Sequence, residues 1–171
     1  MKKITLLSIL FICTSSLCFA QKNIYSFEGI SFNKKGISVR HQRLQDEVVQ
    51  ITGTAGYMSI IIQKSKSDGK SAEKFLEEIL ETTMDNEMEN RQSNASKGKL
   101  NVIGGITDSN INGIEAKHID FRYNQGMGWA YQRQYCFVKG DYRIYMVITG
   151  TVKPPIKHFP LFMKTFSFNP E

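Results

Sequence analysis

The side chains with a capacity for chemistry are few and scattered. Three histidines, His41, His118 and His158, lie far apart along the 171 residues. His118 and Asp120 stand two positions apart in an alternating segment, so a strand there would point both to one face. A metal site of the zinc type needs a third and usually a fourth ligand, and the neighbouring sequence supplies none. Cys136 sits between Tyr135 and Phe137. A thiol becomes a nucleophile when a base or a helix N-terminus stabilises its thiolate. An apolar strand offers neither, and a buried small hydrophobe is the expected role. No Gly-x-Ser-x-Gly elbow occurs. Neither Gly53-Thr54-Ala55-Gly56 nor Gly104-Gly105 is followed by lysine at phosphate-loop spacing. Carboxylates are dense only within residues 71–91, where water would hold their pKa values low. The expectation is a chain with no catalytic residues, no metal ligands and no cofactor, and therefore not an enzyme.

Contact chemistry is better represented. Trp129, Tyr131 and Tyr135 alternate along one segment with Arg133 between them, so a strand would place all four on one face. Tyrosine, tryptophan and arginine are enriched where proteins meet. If a helix covers that face the rings are its floor; if the face is open it is a partner patch. A second candidate is a cavity between sheet and helix lined by Phe75, Ile79, Phe159 and Phe162.

The elements that must position these residues are mostly strands. An entry strand is expected from Tyr25 to Phe32, then an alternating one at Ile37–His41. Asp46–Thr52 and Tyr57–Gln63 follow, and Ile60-Ile61-Ile62 is apolar on both faces, as in a central strand with cover on each side. Ser71 is a good N-cap with Glu73 in the first turn. Behind it, apolar residues at Ala72, Phe75, Leu76, Ile79, Leu80, Thr83, Met84 and Met88 make one helical stripe. Residues 89–99 read as a polar loop. Leu100–Ile111 is a strand kinked at Gly104-Gly105, and Asn112-Gly113 is a hairpin turn into Glu115–Tyr123. After a loop at 125–128, Trp129–Val138 and Tyr142–Thr149 pair across Lys139-Gly140-Asp141. The second of these is apolar on both faces. Pro154-Pro155 can open a final helix carrying Ile156, Phe159, Phe162, Met163 and Phe166, in which Pro160 must occupy a first turn or split the segment.

The N-terminus bounds the compartment. Lys2 and Lys3 precede the apolar run Ile4–Ile12, and a small residue stands at Ala20, the pattern of a cleavable secretory signal. Leu17 before Cys18 does not suit lipid attachment. Removing 1–20 from 171 leaves 151 residues, the size of one domain, with Cys136 as its lone cysteine and no internal disulfide. The chain carries a formal net charge of +6, and losing Lys2 and Lys3 makes it +4. Residues 71–91 hold seven acids against Lys74 and Arg91, a local −5, so the rest of the mature chain sums to +9. No run of basic residues suggests nucleic acid, and no segment of the mature chain is long and apolar enough to span a membrane.

A wider pattern emerges from the early strands, the helix Ser71-Ala72-Glu73-Lys74-Phe75-Leu76-Glu77-Glu78-Ile79-Leu80 and the hairpin Ile111-Asn112-Gly113-Ile114-Glu115-Ala116 running to Phe121. Tyr135-Cys136-Phe137, Gly140-Asp141 and Tyr145 then lead to Phe162 and Phe166-Ser167-Phe168. In this order the chain resembles the superfamily of PsbP and the Ran-binding nucleotide-release factor, including its small exported bacterial members, across almost all of residues 22–169. The resemblance implies an α+β fold: a central antiparallel β-sheet of about six to seven strands, sandwiched by helices on both faces. It also implies a non-catalytic role, because PsbP-like proteins are accessory subunits of photosynthetic complexes and the nuclear relatives bind a GTPase. No binding motif of those relatives matches residue by residue. The functional expectation is an exported, monomeric accessory domain contacting another envelope protein; the alternative is a carrier of a small apolar ligand or lipid.

Overall fold

Glu28 and Gly29 both take a left-handed backbone, with φ of 51° and 76°, as a tight hairpin turn requires for its twist to match its strands. They join β1 (Ile24–Phe27) to β2 (Ile30–Asn33), so the single entry strand expected at Tyr25–Phe32 is a hairpin. The computed structural model describes residues 23–44, 47–92, 100–124 and 129–170. The expected signal at 1–20, the loop at 125–128 and positions 93–99 of the expected polar loop lie outside the described residues.

The chain continues through β3 (Ser38–Arg43), β4 (Val49–Ala55) and β5 (Met58–Lys66) into helix α1 (Ala72–Gln92). Then come β6 (Leu100–Ile111), β7 (Ile114–Asn124), β8 (Trp129–Lys139) and β9 (Tyr142–Gly150). A 3-10 turn (Pro155–His158), helix α2 (Pro160–Thr165) and β10 (Ser167–Phe168) complete it. Ser71 does cap α1: its Oγ accepts the Lys74 backbone N–H at 3.1 Å. The helix runs on to Gln92, so residues 89–92 are helical rather than loop. Asn112 and Gly113, at φ 50° and 87°, make the expected hairpin turn. The kink in β6 is a break in register between Ile103 and Thr107, with Gly104 at φ +81°.

Seven strands form one antiparallel sheet in the order β3-β4-β5-β9-β8-β7-β6, and β10 pairs with β2 to make a separate sheet β1-β2-β10. The Ile60–Ile62 strand is central, hydrogen-bonded to β4 on one side and β9 on the other. One face of the large sheet presents Ile51, Ile60, Ile62, Tyr135, Phe137, Ile144, Met146 and Ile148 to Ile30, Phe32, Phe162, Phe166 and Phe168. The other presents Ile119, Phe121 and Cys136 to Leu76 of α1, with Phe75, Leu80, Val102 and Tyr145 around them. Phe32, Phe137, Phe162, Phe166 and Phe168 are at most 2% exposed, and burying each contributes roughly 2–3 kcal/mol.

The architecture is α+β, but helices do not cover both faces. One face carries α1; the other is roofed mainly by the three-stranded sheet, with the six-residue α2 beside it. The cause is local. Pro160 has no N–H to extend a helix from the preceding turn, so the expected final helix splits into a 3-10 turn and α2, with Pro160 in the first turn of α2. Phe166-Ser167-Phe168 then takes strand alternation and joins β2. A buried lysine ties the two sheets together. Lys64, 8% exposed, donates from Nζ to the Glu28 carbonyl at 3.0 Å and lies 4.5 Å from the Tyr142 ring centroid. No helix among the described residues is long and apolar enough to cross a membrane.

Candidate functional site

The register of β7 against β8 sets the geometry. His118 stands opposite Tyr135, Asp120 opposite Arg133, Arg122 opposite Tyr131 and Asn124 opposite Trp129. Alternation puts all these positions on one face, the face that carries Tyr135 and Phe137 into the core. Trp129, Tyr131, Arg133 and Tyr135 therefore line up along a gradient of cover. Tyr135 is 2% exposed, a floor beneath the roof, and Trp129 is 42% exposed at the open end.

Between those ends lies an ion pair. Arg133 donates from Nε and Nη2 to the two carboxylate oxygens of Asp120, both at 2.6 Å. The side chains are 17% and 12% exposed, and the carboxylate holds the guanidinium pKa above its ordinary value. His118 sits with its ring 5.6 Å from that of Tyr135. Burial lowers its pKa, the Arg133 charge lowers it further, and Asp120 opposes both. Burial also raises the Tyr135 phenol, against the pull of Arg133. Toward the open end, the Arg122 guanidinium lies 4.3 Å from the centroid of Trp129, a cation–π contact. His118 Nδ1 and Arg122 Nε are buried with no hydrogen-bond partner among the described residues.

Asp120 is engaged by Arg133 through both oxygens, and among the described residues no group of three or more His, Cys, Asp or Glu could hold a metal ion. Cys136 is fully buried on the other face, where burial pushes its thiol up to about 12. His41 stacks on Phe27 at 3.9 Å and shares a hydrogen bond with the Tyr25 hydroxyl at 3.0 Å. The side chain of His158 lies outside the described residues.

The four residues expected to line one cavity are not brought together. Phe75 packs with the α1 cluster, edge-on to Tyr145 at 5.4 Å, and Ile79 belongs to the same helix. Phe159 and Phe162 belong to the core on the opposite face. The sheet separates the two pairs. A cleft of ≈ 380 Å³ does lie beside Phe159 and Phe162, bounded by Lys35, Ile37, Ala55 and Leu161. Sequence reasoning missed Arg122. Its parity with His118 and Asp120 could have found it, but its partner Trp129 lies across a loop.

Among solved structures, the chain is similar to cyanobacterial PsbP (CyanoP) from Synechocystis sp. PCC 6803, with a TM-score of 0.54 and 10% identity over 85% of this chain and 91% of that one. It is also similar to a crystal structure from Bacteroides thetaiotaomicron VPI-5482, with a TM-score of 0.50 and 10% identity over 87% of this chain. The match spans about half, 49%, of that second chain. The fold is PsbP-like, and at this identity the likeness is one of fold alone. No family model and no curated protein matches the chain.

Proposed function

We propose that this chain is an exported, non-catalytic accessory domain that contacts another protein of the cell envelope through the open end of the β7–β8 face. The observation that carries the reading is Trp129, 42% exposed, with Arg122 stacked on its ring at 4.3 Å. Interface anchors are drawn from these residue types, and a ring held by a neighbouring cation loses little side-chain freedom when a partner arrives. The Asp120–Arg133 pair behind it braces the two strands. The PsbP-like fold supports an accessory role. The test is a photo-crosslinking residue at Tyr131 in producing cells, with Tyr57, 98% exposed on the β4–β5 turn, as control. One dominant adduct at Tyr131, lost in Trp129→Ala, is the expected result. Adducts no more abundant than at Tyr57 would remove the reading. N-terminal sequencing of the exported protein should begin at Gln21.

One observation favours a second reading, that of a carrier for a small apolar ligand. The cleft beside α2 has a volume of ≈ 380 Å³ and is walled by Ile37, Ala55, Phe159, Leu161 and Phe162, within the roughly 300–1,000 Å³ of small-molecule sites. Native mass spectrometry of protein purified from its own cells tests it. A retained apolar mass that disappears in Leu161→Trp would support the carrier, and a bare protein mass would oppose it.

A further inference from the structure

We propose that the open end of the β7–β8 face recognises a carboxylate, and that its ligand is an acidic peptide segment whose side chain binds Arg122 while its stem covers Trp129. The inference rests on the reading of this face as the partner surface and names what the partner must present. Three half-buried arginines can be compared. Arg133 has both oxygens of Asp120, and Arg143 has Asp68 at 2.8 Å. Arg122 pairs with no acidic side chain among the described residues. It is held instead by the indole, 4.3 Å away, and its Nε is buried with no acceptor among the described residues.

A half-buried guanidinium without a counter-charge is an electrostatic demand that the indole meets only in part, because desolvation has weakened its contact with water and no acidic side chain among the described residues has replaced it. Its neighbour cannot meet that demand, since Asp120 already receives two hydrogen bonds from Arg133. The guanidinium is a planar fork suited to a carboxylate, and the Trp129 ring beneath it restrains the group before any ligand binds. The wider field acts in the same sense. The mature chain sums to +4, made up of +9 outside residues 71–91 and −5 within them, which favours an acidic segment on the surfaces away from α1.

Trp129 is the single tryptophan of the chain, so its fluorescence reports the site directly. The full chain is titrated with N-acetylated, C-amidated tetraglutamate, with the matching tetraglutamine, and with inorganic phosphate. The expected result is a saturable change in emission with tetraglutamate and none with tetraglutamine. Arg122→Met, which keeps the stem over the indole, should weaken the glutamate peptide by about tenfold or more, the size of a lost charge-assisted contact. Arg122→Lys keeps the charge without the fork and should fall between. Thermal melts of each variant establish that the fold is retained. Equal binding of tetraglutamine, an unaltered affinity in Arg122→Met, or displacement of the peptide by equimolar phosphate would each overturn carboxylate recognition. If Tyr131 still crosslinks to its partner in Arg122→Met, the face is an interface and only the carboxylate assignment fails. If Tyr131 gives no specific adduct in the wild type, the partner reading itself has failed.

Discussion

Replacing Asp120 with asparagine removes one charge from a pair that the sheet has largely taken out of water. The side chains of Arg133 and Asp120 are 17% and 12% exposed, and both hydrogen bonds are 2.6 Å long. Breaking a buried pair from one side costs about 3–5 kcal/mol, chiefly because the remaining charge stays desolvated. Residual exposure puts Asp120→Asn near the lower end, about 3 kcal/mol. With a urea m-value of about 2 kcal/mol/M, the midpoint should fall by about 1.5 M. The double variant Asp120→Asn, Arg133→Met removes the stranded charge along with its partner and should recover at least about 1 kcal/mol over the single variant. Equilibrium urea unfolding followed by far-ultraviolet circular dichroism measures all three proteins. If Asp120→Asn moves the midpoint by less than about 0.3 M, or if the double variant is no more stable than Asp120→Asn, the pair is effectively solvated. The idea of a braced, dehydrated strand pair would then be wrong.

Other consequences can be checked in the same preparations. His118 has its pKa lowered by burial from the ordinary 6.5, so the unfolded chain binds a proton at a higher pH than the native one. Its contribution is therefore complete above about pH 6.5 and is lost as pH falls from there through the native value. The melting temperature should drop on acidification through that window, and His118→Gln should flatten the profile; an unchanged slope would contradict the burial of this ring. Cys136, with its thiol pushed up to about 12, should resist alkylation at pH 8 in the native protein and react once urea unfolds it, as peptide mass mapping would show. Gly29 and Gly113 both have positive φ, yet a Cβ at Gly29 would lie 2.2 Å from the Asn169 carbonyl oxygen, whereas at Gly113 it meets nothing within 4 Å. Gly113→Ala should cost about 1 kcal/mol from backbone strain alone. Gly29→Ala should cost clearly more and detach the C-terminal strand; equal midpoints in urea would refute that packing.

Much of the fold is legible from local patterns. Ser71 as the cap of α1, Asn112-Gly113 as a turn, the bulge at Gly104-Gly105 and the alternation of Ile144, Met146 and Ile148 all depend on forces acting within a few residues. So does the choice of β5 as a central strand, because three consecutive isoleucines cannot leave either face to water. The entry hairpin was also written locally, in Glu28-Gly29, but a turn without asparagine or proline is easily read as continuous strand. Pro160 permitted two outcomes for the last helix, and the chain took both: the segment splits, and the proline opens the second part.

Neighbours along the chain cannot decide which side chains meet across it. Phe75 and Ile79 carry the same helical signal as Phe159 and Phe162, yet the large sheet stands between them, because the face an element covers depends on strand order and connection. The buried Lys64 reads as an ordinary strand cation until the β1–β2 turn brings the Glu28 carbonyl to it. Asp120 finds Arg133, and Arg122 finds Trp129, only once β7 and β8 are paired in register. The residue types and their parity were thus set by sequence. The ion pair, the stacked cation and the half-covered face were decided by long-range packing, where one shift in register would send every one of those side chains to the opposite side.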